Sequence, residues 1–166
     1  LFTITVGAIL ATDPIPDGPR TPPFYWAYDD IDTAYPQHPS YSWVEINSQG
    51  TRLTFAQNDD VIPVSLPTGF GPFKYYGQRY TQVSVSADGW IAAGNCTTAN
   101  YANTSLPNTL APRATVFANW DDLYPDNSGS GYVYWFHDTA NHRFIVEYDS
   151  VKYYTGSLRD KFEVML

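Results

Sequence analysis

The strongest constraint on this chain is an alternation of apolar and polar residues that turn residues repeatedly cut short. Val83 and Val85 alternate with Ser84 and Ser86, the period-two pattern of a strand with one buried face. Asp88-Gly89 follows, and Trp90 and Ile91 open a return segment. Asp-Gly readily adopts the positive φ angles of a two-residue hairpin turn, so a tight hairpin is expected there. A second hairpin is expected where TyrValTyrTrpPhe and PheIleValGluTyr flank HisAspThrAlaAsnHisArg, residues 137–143. The spacing predicts strands near Phe2–Val6, Phe24–Tyr28, Trp43–Asn47, Val61–Leu66, Gln82–Ser86, Trp90–Ala93, Thr115–Asn119, Tyr132–Phe136, Phe144–Val151 and Lys161–Leu166. Clusters of Gly, Pro, Asn and Asp separate them, with no helical period, heptad or internal repeat between. The expected fold class is all-β, an antiparallel β-sandwich, jelly-roll-like in the broad sense.

A chain of 166 residues suits one such domain. The run from Pro14 to Pro23 has the character of an extended linker, because proline fixes φ and removes a ladder donor. The expected organisation is therefore an entry strand and Pro-rich linker over 1–23 and a sandwich module over 24–166. Both ends are strand-like, Phe2, Ile4 and Val6 at one and Phe162 to Leu166 at the other, so the chain is expected to be a piece of a longer polypeptide. No apolar run approaches the roughly 18 residues a helix needs to cross a bilayer, and membrane insertion is not expected. A net charge of −8 and a pI of about 4.5 disfavour nucleic acid and anionic membranes as partners, since phosphates demand a basic footprint. Cations and neutral ligands suit that charge better.

Carboxylates supply the sharpest chemical expectation. TyrAspAspIleAspThr groups Asp29, Asp30 and Asp32, and TrpAspAspLeu places Asp121 and Asp122 at a strand end. Oxygen donors of this kind suit Ca²⁺, which takes roughly six to eight oxygens in irregular geometry. Asp also closes turns through its own backbone hydrogen bonds, and neither cluster has EF-hand spacing, so turn chemistry stands as the alternative. His137 and His142, with Asp138, form a weaker metal candidate on a turn without zinc-site spacing. Cys96 is a single cysteine in a polar loop. It can close no bridge within the chain, and nothing beside it in sequence activates a thiolate. Asn95 and Asn103 head N-x-Thr and N-x-Ser sequons that loop chemistry also explains.

Aromatics make up 17% of residues and charged residues only 16%, against ~25% in an average soluble domain. Exposed Tyr and Trp stack on sugar faces, so a carbohydrate-binding site is one reading of Trp26, Trp43, Trp90, Trp120 and Trp135. Core packing is the other. Glu45, Glu147 and Glu163 are the carboxylates a glycosidase would draw on, but no catalytic spacing is evident.

Several blocks carry a family resemblance: FTITVGAILATDP, YWAYDDIDTAYPQHPSYSWVEI, PTGFGPFKYYGQRYTQVSVSADGWIAAG, ATVFANWDDLYPDNSGSGYVYWFHDTANHRFIVEYDSV and KFEVML. Together they resemble an all-β accessory module found beside gingipain-like cysteine peptidases of secreted bacterial proteins. The GlyPheGlyProPheLysTyrTyrGly lead-in resembles nidogen-type extracellular domains more weakly. The resemblance implies a noncatalytic β-sandwich, extracellular or on the cell surface, with a structural or adhesive role beside other domains of the same polypeptide. A glycan or a surface protein is the further partner it allows. A carbohydrate-binding module and a β-sandwich hydrolase remain the alternatives.

Overall fold

The computed structural model describes residues 28–36 and 38–166. The expected strand at Phe2–Val6, all of the expected strand at Phe24–Tyr28 except Tyr28, and the Pro-rich run lie outside them. The chain divides between Ser42 and Trp43 into two units. In the first, residues 28–42 are turns and irregular backbone where described.

The second unit is built from short strands. In chain order they are β1 (Thr51–Leu53), β2 (Val61–Ser65), β3 (Phe73–Tyr75), β4 (Gln78–Tyr80) and β5 (Gln82–Ser86). Then follow β6 (Trp90–Ala93), β7 (Thr115–Phe117), β8 (Tyr132–Asp138), β9 (Arg143–Lys152) and β10 (Arg159–Met165). Every pairing is antiparallel, and no helix occurs among the described residues. One four-stranded sheet has the order β1-β8-β9-β10, a second the order β2-β5-β6-β7, and β3-β4 stands as a separate hairpin.

Alternation explains how the two larger sheets share a core. Leu53, Val133, Phe144, Val146, Tyr148 and Val164 of the first sheet join Val64, Val83, Val85 and Ile91 of the second in one buried cluster. Fully burying one such side chain contributes ~1.5–3 kcal/mol, so this cluster, rather than the sparse charges, drives the sheets together. Tyr148 also donates its hydroxyl hydrogen to Ser86 O of the facing sheet at 2.7 Å. The result is the expected all-β antiparallel sandwich.

Both hairpins pair as neighbours, with one correction to turn geometry. The register Val85↔Ile91 leaves Ala87-Asp88-Gly89 as a three-residue turn beyond the Ser86 and Trp90 positions, and of these only Gly89 has positive φ, 75°. That is the three-residue hairpin with a left-handed third residue, which Asp-Gly also satisfies. The two-residue turn with both φ angles positive occurs instead at Tyr76 (46°) and Gly77 (81°), between β3 and β4.

The expected strand at Trp43–Asn47 is absent. Its alternate N–H groups find carboxylates rather than a ladder: Val44 N donates to Glu163 Oε1 at 3.3 Å and Ile46 N to Glu147 Oε2 at 2.9 Å. Ile46 is fully buried there, as are Ile145 and Glu147 on the sheet. Trp90 of the second sheet and Trp120 in the loop after β7 both donate their indole N–H to Asn100 O, at 3.2 and 2.8 Å, tying down the long β6–β7 loop. Among the described residues the edge strands are β1 and β10 of one sheet and β2 and β7 of the other. β1 and β7 are three residues long, β2 contains Pro63, and β10 alternates charges along Arg159, Asp160, Lys161 and Glu163.

Candidate functional site

Loops at one end of the sandwich bring acidic residues together, and their hydrogen bonds sort them into two kinds. Asp60 is consumed by turn formation, accepting from Val61 N at 2.8 Å and Ala56 N at 2.9 Å. Asp121 accepts from Asp122 N at 2.8 Å in the same way. Asp59 from the β1–β2 loop, Asp88 from the β5–β6 turn and Asp122 from the β7–β8 loop instead converge, with one carboxylate oxygen of each within 4.8 Å of the others. Asn58 bridges two of them, donating from Nδ2 to Asp59 Oδ1 at 2.7 Å and Asp122 Oδ1 at 3.1 Å.

The depth of Asp88 follows from the turn. Gly89 O accepts from Asn119 N at 3.0 Å and Asp88 O from Asp121 N at 3.4 Å, clamping the turn beneath the β7–β8 loop. Asp88 has no exposed surface. Burial raises its pKa to about 8, helped by the charges of Asp59 and Asp122; the Ser86 hydroxyl and the Leu123 backbone N–H oppose the shift. Asp59 is raised too, by burial and then by Asp122.

A second acidic group lies on the first sheet, where Glu45, Glu147 and Asp149 also approach within 4.8 Å. Lys161 fills it. Its Nζ stands 2.7 Å from Glu45 Oε2, 2.8 Å from Asp149 Oδ1 and 3.2 Å from Glu147 Oε1, the last an ion pair without hydrogen-bond alignment. A bulge sets this up: Asp149 and Ser150 of β9 oppose Lys161 alone, and Ser150 takes φ 56°. Burial raises Glu147 to about 7, whereas the hydrogen bond from Lys161 holds exposed Glu45 near 2.

Of the residues singled out by sequence, Asp122 belongs to the convergent cluster and Asp121 to the turn beside it. Asp29 and Asp32 lie in the first unit within a local turn: Asp29 N donates to Asp32 Oδ2 and Ile31 N to Asp29 Oδ1, both at 3.0 Å. Asp30 is exposed there. His137 and His142 flank Phe70, with ring centroids 5.9 and 5.4 Å from it, and neither joins a metal-sized group among the described residues. Cys96 donates its backbone N–H to Ser84 Oγ at 2.9 Å and remains a free thiol. Asn103 donates from its side-chain amide to Trp120 O at 3.0 Å. Trp90 is buried and Trp135 stacks on core Phe144 at 5.4 Å, so both serve packing. Glu45, Glu147 and Glu163 gather around Lys161 and the Val44–Ile46 backbone. Sequence reasoning missed Asp59 and Asp88; AsnAspAsp at 58–60 is a signal equal to TrpAspAsp, whereas the Asp-Gly turn accounts for Asp88 by itself and so hides its second role.

A model of the family described as NIDO related matches residues 11–166. The chain belongs to this family. Searches of curated proteins and of solved structures return no match. The family match supports the nidogen-type resemblance and adds nothing to the peptidase-associated one. NIDO-related domains are typically extracellular, consistent with an accessory module, and no helix among the described residues is long and apolar enough to cross a membrane.

Proposed function

We propose that this NIDO-related chain is a noncatalytic module with a structural or adhesive role in a larger secreted or cell-surface protein. Its partners would be neighbouring domains of the same polypeptide and, for an adhesive role, a surface protein. The observation that carries the reading is the family match across the sandwich. The glutamates support it, because each has an evident structural partner: Glu147 and Glu163 accept the Ile46 and Val44 N–H groups, and Glu45 pairs with Lys161. A hydrolase acid and base would instead face a cleft open to substrate.

The test is turnover and retention measured separately. The purified chain should hydrolyse neither peptide nor polysaccharide panels, and deleting residues 43–166 from the protein that contains them should weaken surface retention or domain stability. Hydrolysis that disappears in Glu163→Gln would overturn the reading.

A carbohydrate-binding role keeps one observation in its favour. A surface depression of about 400 Å³ is lined by Asn95, Thr97, Thr98, Thr109 and Arg113, whose amide, hydroxyl and guanidinium groups suit sugar hydroxyls. Glycan-array binding lost in Arg113→Ala would favour this second reading over the first.

A further inference from the structure

The two acidic clusters differ in one respect that chemistry must answer. Around Glu45, Glu147 and Asp149 the fold supplies its own cation, the Lys161 ammonium. Around Asp59, Asp88 and Asp122 no Lys or Arg forms an ion pair among the described residues. Three carboxylates within 4.8 Å repel one another, and Asp88 sits where water cannot screen it. Independently of that crowding, Asp88 Oδ1 is a fully buried acceptor with no hydrogen-bond partner. Buried acceptors of this kind are rare unless a bound group completes them.

We propose that Asp59, Asp88 and Asp122, with the Asn58 amide, bind a Ca²⁺ ion that joins the β1–β2, β5–β6 and β7–β8 loops. The donor set is oxygen only, without His or Cys, which selects a hard cation over zinc or copper. Three carboxylates and an amide carbonyl leave the remaining positions of a shell of roughly six to eight for water and backbone oxygens, which irregular Ca²⁺ coordination accommodates better than the near-octahedral shell of Mg²⁺. In the cation-free geometry Asn58 presents its NH₂ to Asp59 and Asp122. Turning that amide over directs its oxygen inward, as ligation requires. The site differs from the one sequence suggested, keeping Asp122 and replacing Asp29, Asp30, Asp32 and Asp121. It does not depend on the accessory-module reading.

Calorimetric titration of the whole chain, stripped with chelator, with CaCl₂ and separately with MgCl₂ tests the proposal. One Ca²⁺ site is expected, with Mg²⁺ at least tenfold weaker, and a melting temperature that rises with Ca²⁺ and falls on adding chelator. Asp88→Asn should abolish the response. Asp59→Asn, at a position less buried than Asp88 where folding is less at risk, should weaken binding at least tenfold, and Asp30→Asn should leave it unchanged. Absence of any Ca²⁺ response in the unsubstituted chain would sink the proposal. So would unaltered binding in Asp59→Asn, or loss confined to Asp30→Asn, which would place the ion in the first unit.

Discussion

Glu147 is held beneath the Trp43–Ile46 segment with no exposed surface, so burial dominates its protonation and outweighs the help of Ile46 N–H and Lys161. Its pKa stands at about 7 in the folded chain against 4.5 ordinarily. An acid raised on folding binds its proton more tightly in the native state. Its contribution to stability is therefore complete below pH ~4.5 and is lost as pH climbs to about 7. Glu45 acts in the opposite sense and in a different window, its pKa lowered to about 2, so it stabilises above ~4.5 and is lost in stronger acid. The prediction is that Glu147→Gln makes the decline between pH 4.5 and 7 shallower, leaving the share that buried Asp88, raised to about 8, contributes over the same range, and exceeds the unsubstituted chain in stability near pH 8. Urea midpoints measured across that range check it. A decline of equal size in the variant would show that Glu147 does not control the window.

Turns decide how the elements meet, and the β5–β6 turn is the most demanding. A Cβ on Gly89 would lie 2.0 Å from Asn119 O, and φ there is +75°. Gly71 has φ +79° with nothing within 4 Å of its own Cβ position. Gly71→Ala therefore incurs only the left-handed backbone cost, ~1 kcal/mol, while Gly89→Ala adds a backbone collision and should cost ~3 kcal/mol or more. Thermal unfolding of both variants makes the comparison, and equal losses would mean the clamp over the turn yields freely. The same scale shows what sequence could reveal. β5 was legible to the residue because Val83 and Val85 alternate with serines, and β6 because it follows the Asp-Gly turn, but the expected single buried face was not found: Ser84 and Ser86 are buried as fully as the valines. β8 to β10 were legible because long strands repeat their period. β1, β3 and β4 are three residues each, too short to show a period, and the turn joining β3 to β4 places Tyr76 where Asn or Gly normally signals it. Trp43–Asn47 carried a strand's alternation, but its partners are carboxylates from β9 and β10. Of the acidic site, Asp122 was legible and Asp59 and Asp88 were not, since convergence of three loops is a product of topology.

The second unit should behave as one cooperative body, because a single buried cluster runs through both large sheets. Residues 43–166 expressed alone are predicted to unfold in one transition, with tryptophan fluorescence and far-ultraviolet circular dichroism coincident. Tyr148→Phe, which removes the hydroxyl donor to Ser86 O, should lower stability by ~1–2 kcal/mol without splitting the transition. Two separated transitions would mean that the sheets fold independently. The outer strands bear on how such a body tolerates neighbours. An open strand edge is a template for another chain, and short length, proline and closely spaced charge are the means by which natural sheets refuse one. β1 and β7 use the first, β2 the second through Pro63, and β10 the third. Copies brought close together can therefore stand side by side without fusing into fibrils or exchanging strands.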